Sequence, residues 1–217
     1  MPRLFLAVSF SVLTFSLLAQ GSNDPAAKQV LDAVSARFKT FKTVQAGFTY
    51  KVEDAKGKAM STKTGTIWMK GTKYKVVFGG QEIYSDGATI WNYDKNSKEV
   101  SINSVDPNSS AITPQKLFTN FYDQDFLYKL NGEKKIGAKT IQEIEMTPTE
   151  KEGKKYHKVY LQIDKAAKTI YSTKVLNDEG NKYVYTVSSM KTNGAMADTM
   201  FVFDKKKYPG VEEVDLR

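Results

Sequence analysis

The chemistry available to this chain is narrow, because among its 217 residues there is one histidine, His157, and no cysteine. Neither a cysteine nucleophile nor a Cys/His zinc site can be built from that inventory. His157 sits in Lys155-Tyr156-His157-Lys158-Val159, whose alternation is that of a strand, and an exposed strand position accounts for it better than a general base. Glu143 and Glu145 lie two residues apart on one face of another strand-like stretch, and a pair of carboxylates could in principle run glycoside hydrolysis. Their neighbours on the other face are Ile144 and Met146, so the solvated side of a half-buried strand is the simpler account. Gly79-Gly80 and Asp86-Gly87 fit hairpin turns and lack the spacing of a phosphate-cradling loop. The sequence therefore gives no catalytic residue, no metal site and no cofactor, and the expectation is a protein that is not an enzyme.

What the chain has in quantity is soft apolar surface: 12 Phe, 12 Tyr, 2 Trp and 7 Met. Such side chains fill a core, and they also line adaptable pockets for apolar ligands; composition alone leaves both open. The formal charge is +8, or +7 once Arg3 leaves with an export segment. The lysines are scattered among Thr, Asp and Glu, as expected for solubility and for blunting strand edges. Beyond the first residues the only arginines are Arg37 and Arg217, which excludes the arginine-rich clusters of a nucleic-acid binder.

The elements that would position these residues begin with Met1–Ala19, which reads as a signal peptide: Arg3, an apolar stretch from Leu4 to Leu18, then Ala19 and Gln20. The stretch is short for a membrane span. Gln20 follows Leu17-Leu18-Ala19, where a lipid-anchored protein would need cysteine. The remainder, 20–217, has the length of one large β-rich domain, expected to be soluble and monomeric. Asp24-Pro25 caps a helix whose apolar stripe is Val30, Leu31, Val34, Phe38 and Phe41. From Val44 the period becomes two, with Phe48, Tyr50 and Val52 alternating with Thr49 and Lys51.

Turn signals then recur at Asp54-Ala55-Lys56-Gly57, Gly71-Thr72, Gly79-Gly80, Asp86-Gly87, Asp94-Lys95-Asn96, Asn131-Gly132, Glu152-Gly153 and Asp178-Glu179-Gly180. Between them lie strands at Gly65–Lys70, Lys73–Phe78, Glu82–Ser85, Thr89–Tyr93, Glu99–Asn103, Thr140–Thr147, Lys155–Asp164, Thr169–Asn177, Lys182–Met190 and Thr199–Phe203. This spacing predicts a mainly β (α+β) protein, one large curved antiparallel sheet or barrel. One interruption, Thr113-Pro114 followed by Leu117, Phe118 and Phe121, has a cap, a first-position proline and an apolar stripe, and predicts a short inserted helix. Both helices should cover the apolar face of the sheet.

Three stretches together resemble the outer-membrane lipoprotein carriers, the LolA-type periplasmic family. They are Val44-Gln45-Ala46-Gly47-Phe48-Thr49-Tyr50-Lys51-Val52; Gly65-Thr66-Ile67-Trp68-Met69-Lys70 through Tyr84-Ser85-Asp86-Gly87-Ala88-Thr89-Ile90-Trp91-Asn92-Tyr93-Asp94; and Met200-Phe201-Val202-Phe203 followed by Tyr208-Pro209-Gly210-Val211. The Ser-Asp-Gly-x-x-x-Trp-x-Tyr element of the second is the most specific of these. The resemblance implies a half-open antiparallel β-barrel with helices as a lid over a hydrophobic cavity. It further implies a periplasmic carrier that receives acylated lipoproteins from an inner-membrane ATP-driven lipoprotein-releasing transporter and passes them to an outer-membrane lipoprotein receptor.

With that picture, the alternation nominates cavity-lining residues: Phe48 and Tyr50, Ile67 and Met69, Tyr74, Val76 and Phe78, then Trp91 and Tyr93. Val30, Leu31, Val34 and Phe38 would come from the first helix, and Leu117, Phe118 and Phe121 from the inserted one. Alternation does not fix which face of a strand points inward. The chain departs from the proteobacterial pattern after Met69-Lys70, where Gly71-Thr72 replaces an Arg-Pro pair. The arginine's part in closing the lid therefore does not carry over. Lys70 or Lys73 could supply a charge there, without the planar fork of donors. A lipid- or lipoprotein-binding sensor of the same half-barrel shape is the alternative function, and a hydrolase of envelope material a third.

Overall fold

A computed structural model of the chain describes residues 23–106, 122–150 and 154–217. The signal peptide expected at Met1–Ala19, the inserted helix at 113–121 and the Glu152-Gly153 turn lie outside the described residues.

Helix α1 (Pro25–Lys39) forms where its caps predict. The Asp24 carboxylate accepts from the Ala26 N–H at 2.8 Å, Pro25 occupies the first turn, and the Thr40 hydroxyl donates to the Arg37 carbonyl at 2.7 Å. Its buried stripe is Ala27, Leu31, Val34 and Phe38. The same Asp24 has a second task, accepting from the Leu130 N–H at 2.9 Å while the Asn23 side chain accepts from the Tyr128 N–H. The start of the helix thereby closes part of an open sheet edge, where unpaired N–H groups would otherwise invite another strand.

The strands are β1 (Val44–Glu53), β2 (Ala59–Lys70), β3 (Lys73–Phe78), β4 (Gln81–Ser85), β5 (Thr89–Asp94) and β6 (Glu99–Ser104). After a short helix α2 (Tyr122–Asp125) follow β7 (Phe126–Ile136), β8 (Lys139–Pro148), β9 (Tyr156–Asp164), β10 (Thr169–Asn177), β11 (Lys182–Thr192) and β12 (Glu212–Asp215). All twelve make one sheet in the order β12-β6-β5-β4-β3-β2-β1-β11-β10-β9-β8-β7, in which only the β12–β6 pair is parallel. β12 and β7 end the order without pairing to each other, so the sheet curves but stays an open half-barrel.

Cross-strand partners share a face, so the register sorts the side chains. Ala46, Ile67, Val76 and Ile83 form one inward row from β1 to β4. They join a core with Tyr128, Ile144, Met146, Leu161 and the stripe of α1. The outward row, Tyr84, Trp91, Tyr93 and Val100, makes a second small core on the convex side with Phe203, Tyr208 and Val211.

Three expectations are corrected. Thr199–Phe203 is no strand: Asp198–Phe201 is a 3-10 turn, part of a strap that crosses the convex face between β11 and β12. Buried Phe201 and Phe203 flank exposed Val202, which imitates strand alternation although no strand among the described residues pairs with this stretch. Asn131-Gly132 is no turn either. Gly132, at a φ of 131°, absorbs a bulge between Leu130 and Gly132 inside β7, and the hairpin closes later at Gly137. Finally, β2 begins at Ala59, six residues before the apolar alternation does.

Lys70 and Lys73, which the sequence offers as charges for a lid, grip this strap. Both ammonium groups donate to the two oxygens of Asp198, at 2.8 and 2.9 Å, and Lys70 also donates to the Met196 carbonyl. The hydrogen bond from Lys70, then that from Lys73, hold the Asp198 carboxyl down at about 2 from an ordinary 3.8. A depressed carboxylate stabilises the fold fully above its ordinary value and loses that contribution as pH falls towards the folded one. The urea midpoint of Asp198→Asn should therefore lie below that of the wild type at neutral pH and converge on it between pH 3.8 and about 2. A gap that persists unchanged at pH 2 would show that this contact does not hold the strap.

Candidate ligand-binding cavity

The inward face is not packed solid. Between α1 and the sheet lies a partly open cavity of about 410 Å³, almost wholly apolar, within the ~300–1,000 Å³ typical of small-molecule sites. Phe38 enters it from the helix, Ala46, Phe48, Ile67 and Val76 from β1 to β3, and Phe126 from β7. β9 and β10 contribute Val159, Leu161, Ile170 and Val175, and β11 contributes Tyr183, Tyr185, Val187 and Met190.

Local sequence explains the shape at one end. Gly65 stands opposite Phe48, and a side chain there would press on the Phe48 ring and on the Val77 carbonyl, at 2.4 and 2.8 Å from an added Cβ. Glycine thus lets the ring lie flat over β2 instead of standing in the hollow. Around Phe48 the rings of Phe78, Tyr50, Tyr183 and Tyr185 follow at centroid spacings between 4.9 and 6.4 Å. Tyr185 remains 42% exposed, yet burial, with Tyr50 and Tyr183 alongside, pushes its phenol up to about 12. Tyr185 itself lines the cavity. At the other end Val44, Met69 and Tyr74 are buried, so this tyrosine group forms the mouth.

Four of the nominated residues line the cavity: Phe38, Phe48, Ile67 and Val76. Tyr50 and Phe78 pack against the lining rings of Tyr185 and Phe48. Leu31, Val34, Met69 and Tyr74 are buried in the surrounding core, with Val30 packed against it. Trp91 and Tyr93 point the other way, into the convex core under Phe203 and Tyr208; their inward assignment is corrected by the pairing of Tyr84 with Trp91 and of Glu82 with Tyr93. Leu117, Phe118 and Phe121 lie outside the described residues. The β9–β11 wall was missed, though Tyr183, Tyr185 and Val187 alternate as plainly as Phe48 and Tyr50. Only the pairing of β1 with β11, remote in sequence, puts them on the same face.

The groups with chemical potential are engaged elsewhere. Glu145 is held by Lys158 at 2.7 Å and Glu143 accepts from Gln162 at 2.9 Å on the convex face, while Ile144 and Met146 are buried. His157 is half exposed beside Asp178. On the convex side Glu82 accepts from the hydroxyls of Tyr84 and Tyr208 at 2.6 and 2.9 Å. Burial raises the Glu82 carboxyl, but those two donors and Lys75 outweigh it and leave it below the ordinary range. This network joins strap to sheet, and none of its residues belongs to the lining of the apolar cavity. Among the described residues no group of His, Cys, Asp and Glu could hold a metal ion, and no helix is long and apolar enough to cross a membrane.

The family model described as outer membrane lipoprotein carrier protein LolA matches residues 39–204. No curated protein matches the sequence. Among solved structures, an uncharacterized conserved protein from Thermus thermophilus superposes with a TM-score of 0.60 at 14% identity, covering 88% of this chain and 99% of that one. MucB gives 0.50 at 17% identity over 83% of this chain and 64% of its own. LprF from Mycobacterium bovis gives 0.47 at 14% identity over 82% and 98%. At such identities the first two likenesses concern the fold alone.

Proposed function

Because this chain belongs to the outer membrane lipoprotein carrier protein LolA family, we propose that it is a periplasmic chaperone, not an enzyme, that shelters the acyl chains of lipoproteins between two membranes. In this reading the signal peptide at Met1–Ala19 is removed on export and the chain works as a monomer. An inner-membrane ATP-driven transporter releases the cargo to it, and an outer-membrane receptor takes the cargo from it. The observation that carries the proposal is the apolar cavity with a mouth of tyrosines on the inward face.

The energetics suit a shuttle. Counting a methylene as about the ~30 Å³ share of a water molecule, the cavity of about 410 Å³ takes on the order of a dozen methylenes. At ~0.8 kcal/mol each, their removal from water is worth roughly 10 kcal/mol. That is ample to keep a chain out of solvent. It still leaves a receptor able to win the chain by offering a larger apolar surface.

Purification from the periplasm, followed by solvent extraction and mass spectrometry, tests the proposal. Acylated lipoproteins in the extract, handed on when an acceptor membrane fraction is added, are the expected result. Free lipid alone, or bound lipoprotein that is never handed on, would replace carriage with storage or sensing. Substrate turnover without bound cargo would point to the hydrolase.

A further inference from the structure

Several lysines of the convex face have carboxylate partners: Lys51 with Glu53, Lys75 with Glu82, Lys129 and Lys158 with Glu145. Lys63 differs. It pairs in register with Tyr50, so it stands on the inward face of β2, in the row that continues through Gly65 and Ile67. Its Nζ lies 5.9 Å from the centre of the Phe78 ring, and Phe78 packs on the cavity-lining Phe48. The side chain is exposed, and no carboxylate among the described residues pairs with it. Nor does any carboxylate occupy an inward position of β1, β2, β3 or β11.

The rest of the mouth adds donors. The hydroxyls of Tyr50 and Tyr185 have no hydrogen-bond partner among the described residues, and that of Tyr183 accepts from Asn177 Nδ2 at 3.4 Å, keeping its own proton to give. Burial raises the phenols of Tyr50 and Tyr185 above their ordinary value, so both stay protonated at neutral pH. The cavity lining thus includes two phenols, Tyr183 and Tyr185, and beside them stand a third phenol, Tyr50, and the Lys63 ammonium group. A neutral alcohol head could satisfy the phenols but would leave the charge of Lys63 unmatched. A head that only accepts, and is negative, meets both.

We propose that the mouth selects anionic amphiphiles, with one hydrocarbon chain in the cavity and a carboxylate or phosphate head held by Lys63 and the hydroxyls of Tyr50, Tyr183 and Tyr185. This rests on the cavity accepting hydrocarbon, as above, and goes beyond lipoprotein cargo in assigning the site a charged ligand. The test is displacement of a fluorescent fatty-acyl probe from the purified protein by hexadecanoate, hexadecyl phosphate or hexadecanol, each below its aggregation concentration, with inorganic phosphate as the head alone.

Both anions should displace the probe better than hexadecanol, and phosphate alone should not displace it. Lys63→Met should weaken the two anions by roughly three- to fivefold, the scale of a partly exposed ion pair, and leave hexadecanol unchanged, with Lys63→Arg restoring the preference. The difference should shrink at high salt. Carboxylate and phosphate are separated by which of the two loses more in Lys63→Met. If hexadecanol equals the anions and Lys63→Met changes nothing, the headgroup site is overturned and the cavity reading stands. Failure of all three amphiphiles would overturn both.

Discussion

Replacing Ala46 with phenylalanine should weaken cargo binding by one to two orders of magnitude, roughly 1.4–3 kcal/mol, and leave the protein folded, with a melting temperature at or above that of the wild type. Ala46 is buried on β1 and lines the cavity, and its register partners on either side, Ile67 and Met190, line it too. A larger side chain in a filled core usually costs about 1–3 kcal/mol because neighbours must move. Here the ring enters empty apolar space, so it gains contacts instead. It then occupies the volume that an acyl chain needs. Transfer of acylated cargo from inner-membrane vesicles should fall by about 10- to 100-fold, as expected when roughly 1.4–3 kcal/mol of chain burial is lost. Trp91→Ala is the control from the same sheet, since its ring lies on the convex side and transfer should stay at the wild-type level. A folded Ala46→Phe protein that carries cargo normally would mean that the chains are held elsewhere.

That control exists because sequence and structure part company at Trp91 and Tyr93. A period of two separates the faces of a strand without naming the inner one, and two aromatic residues in an aromatic-rich sheet serve equally well in a cavity wall or in a second core. What decides is the C-terminal strap, whose Phe203 and Tyr208 rings pack at a tilt against Tyr93 with centroids 5.7 and 4.5 Å away. α1 and the hairpins from β2 to β6 were legible because their signals are local: a cap, a stripe at helical spacing, turn residues between alternating runs. β7 was hidden by Asn131-Gly132, a pair favoured in two-residue hairpins, which here accommodates a bulge. β12 escaped because Glu212-Glu213-Val214-Asp215 has little strand propensity, and its parallel pairing with β6 depends on where the strap delivers it. The site was half legible for the same reason. Phe48, Ile67 and Val76 belong to consecutive hairpins, whereas the Tyr183–Tyr185 wall joins them through a pairing more than a hundred residues long.

The strap also sets the second large expectation. Phe201→Ala should destabilise the protein by about 3–5 kcal/mol, the range for removing a fully buried phenylalanine, and lower the melting temperature by roughly 6–20 °C for a domain of this size. Phe201 is 0% exposed although it belongs to a short 3-10 turn with few backbone hydrogen bonds of its own, and that turn packs against β3. Burial of this one ring and the Lys70–Asp198–Lys73 clip are what hold the turn to the sheet. Its neighbour Met200 is 37% exposed, so Met200→Ala should change stability by less than about 0.5 kcal/mol. Because the ring is anchored away from the cavity lining, Phe201→Ala assayed well below its melting temperature should still bind cargo. A loss of cargo binding in folded Phe201→Ala, comparable to that of Ala46→Phe, would instead couple the strap to the cavity through β3, whose Val76 lies in the lining. Denaturation curves and the transfer assay on these three variants separate the two outcomes, since one moves the midpoint alone and the other moves both.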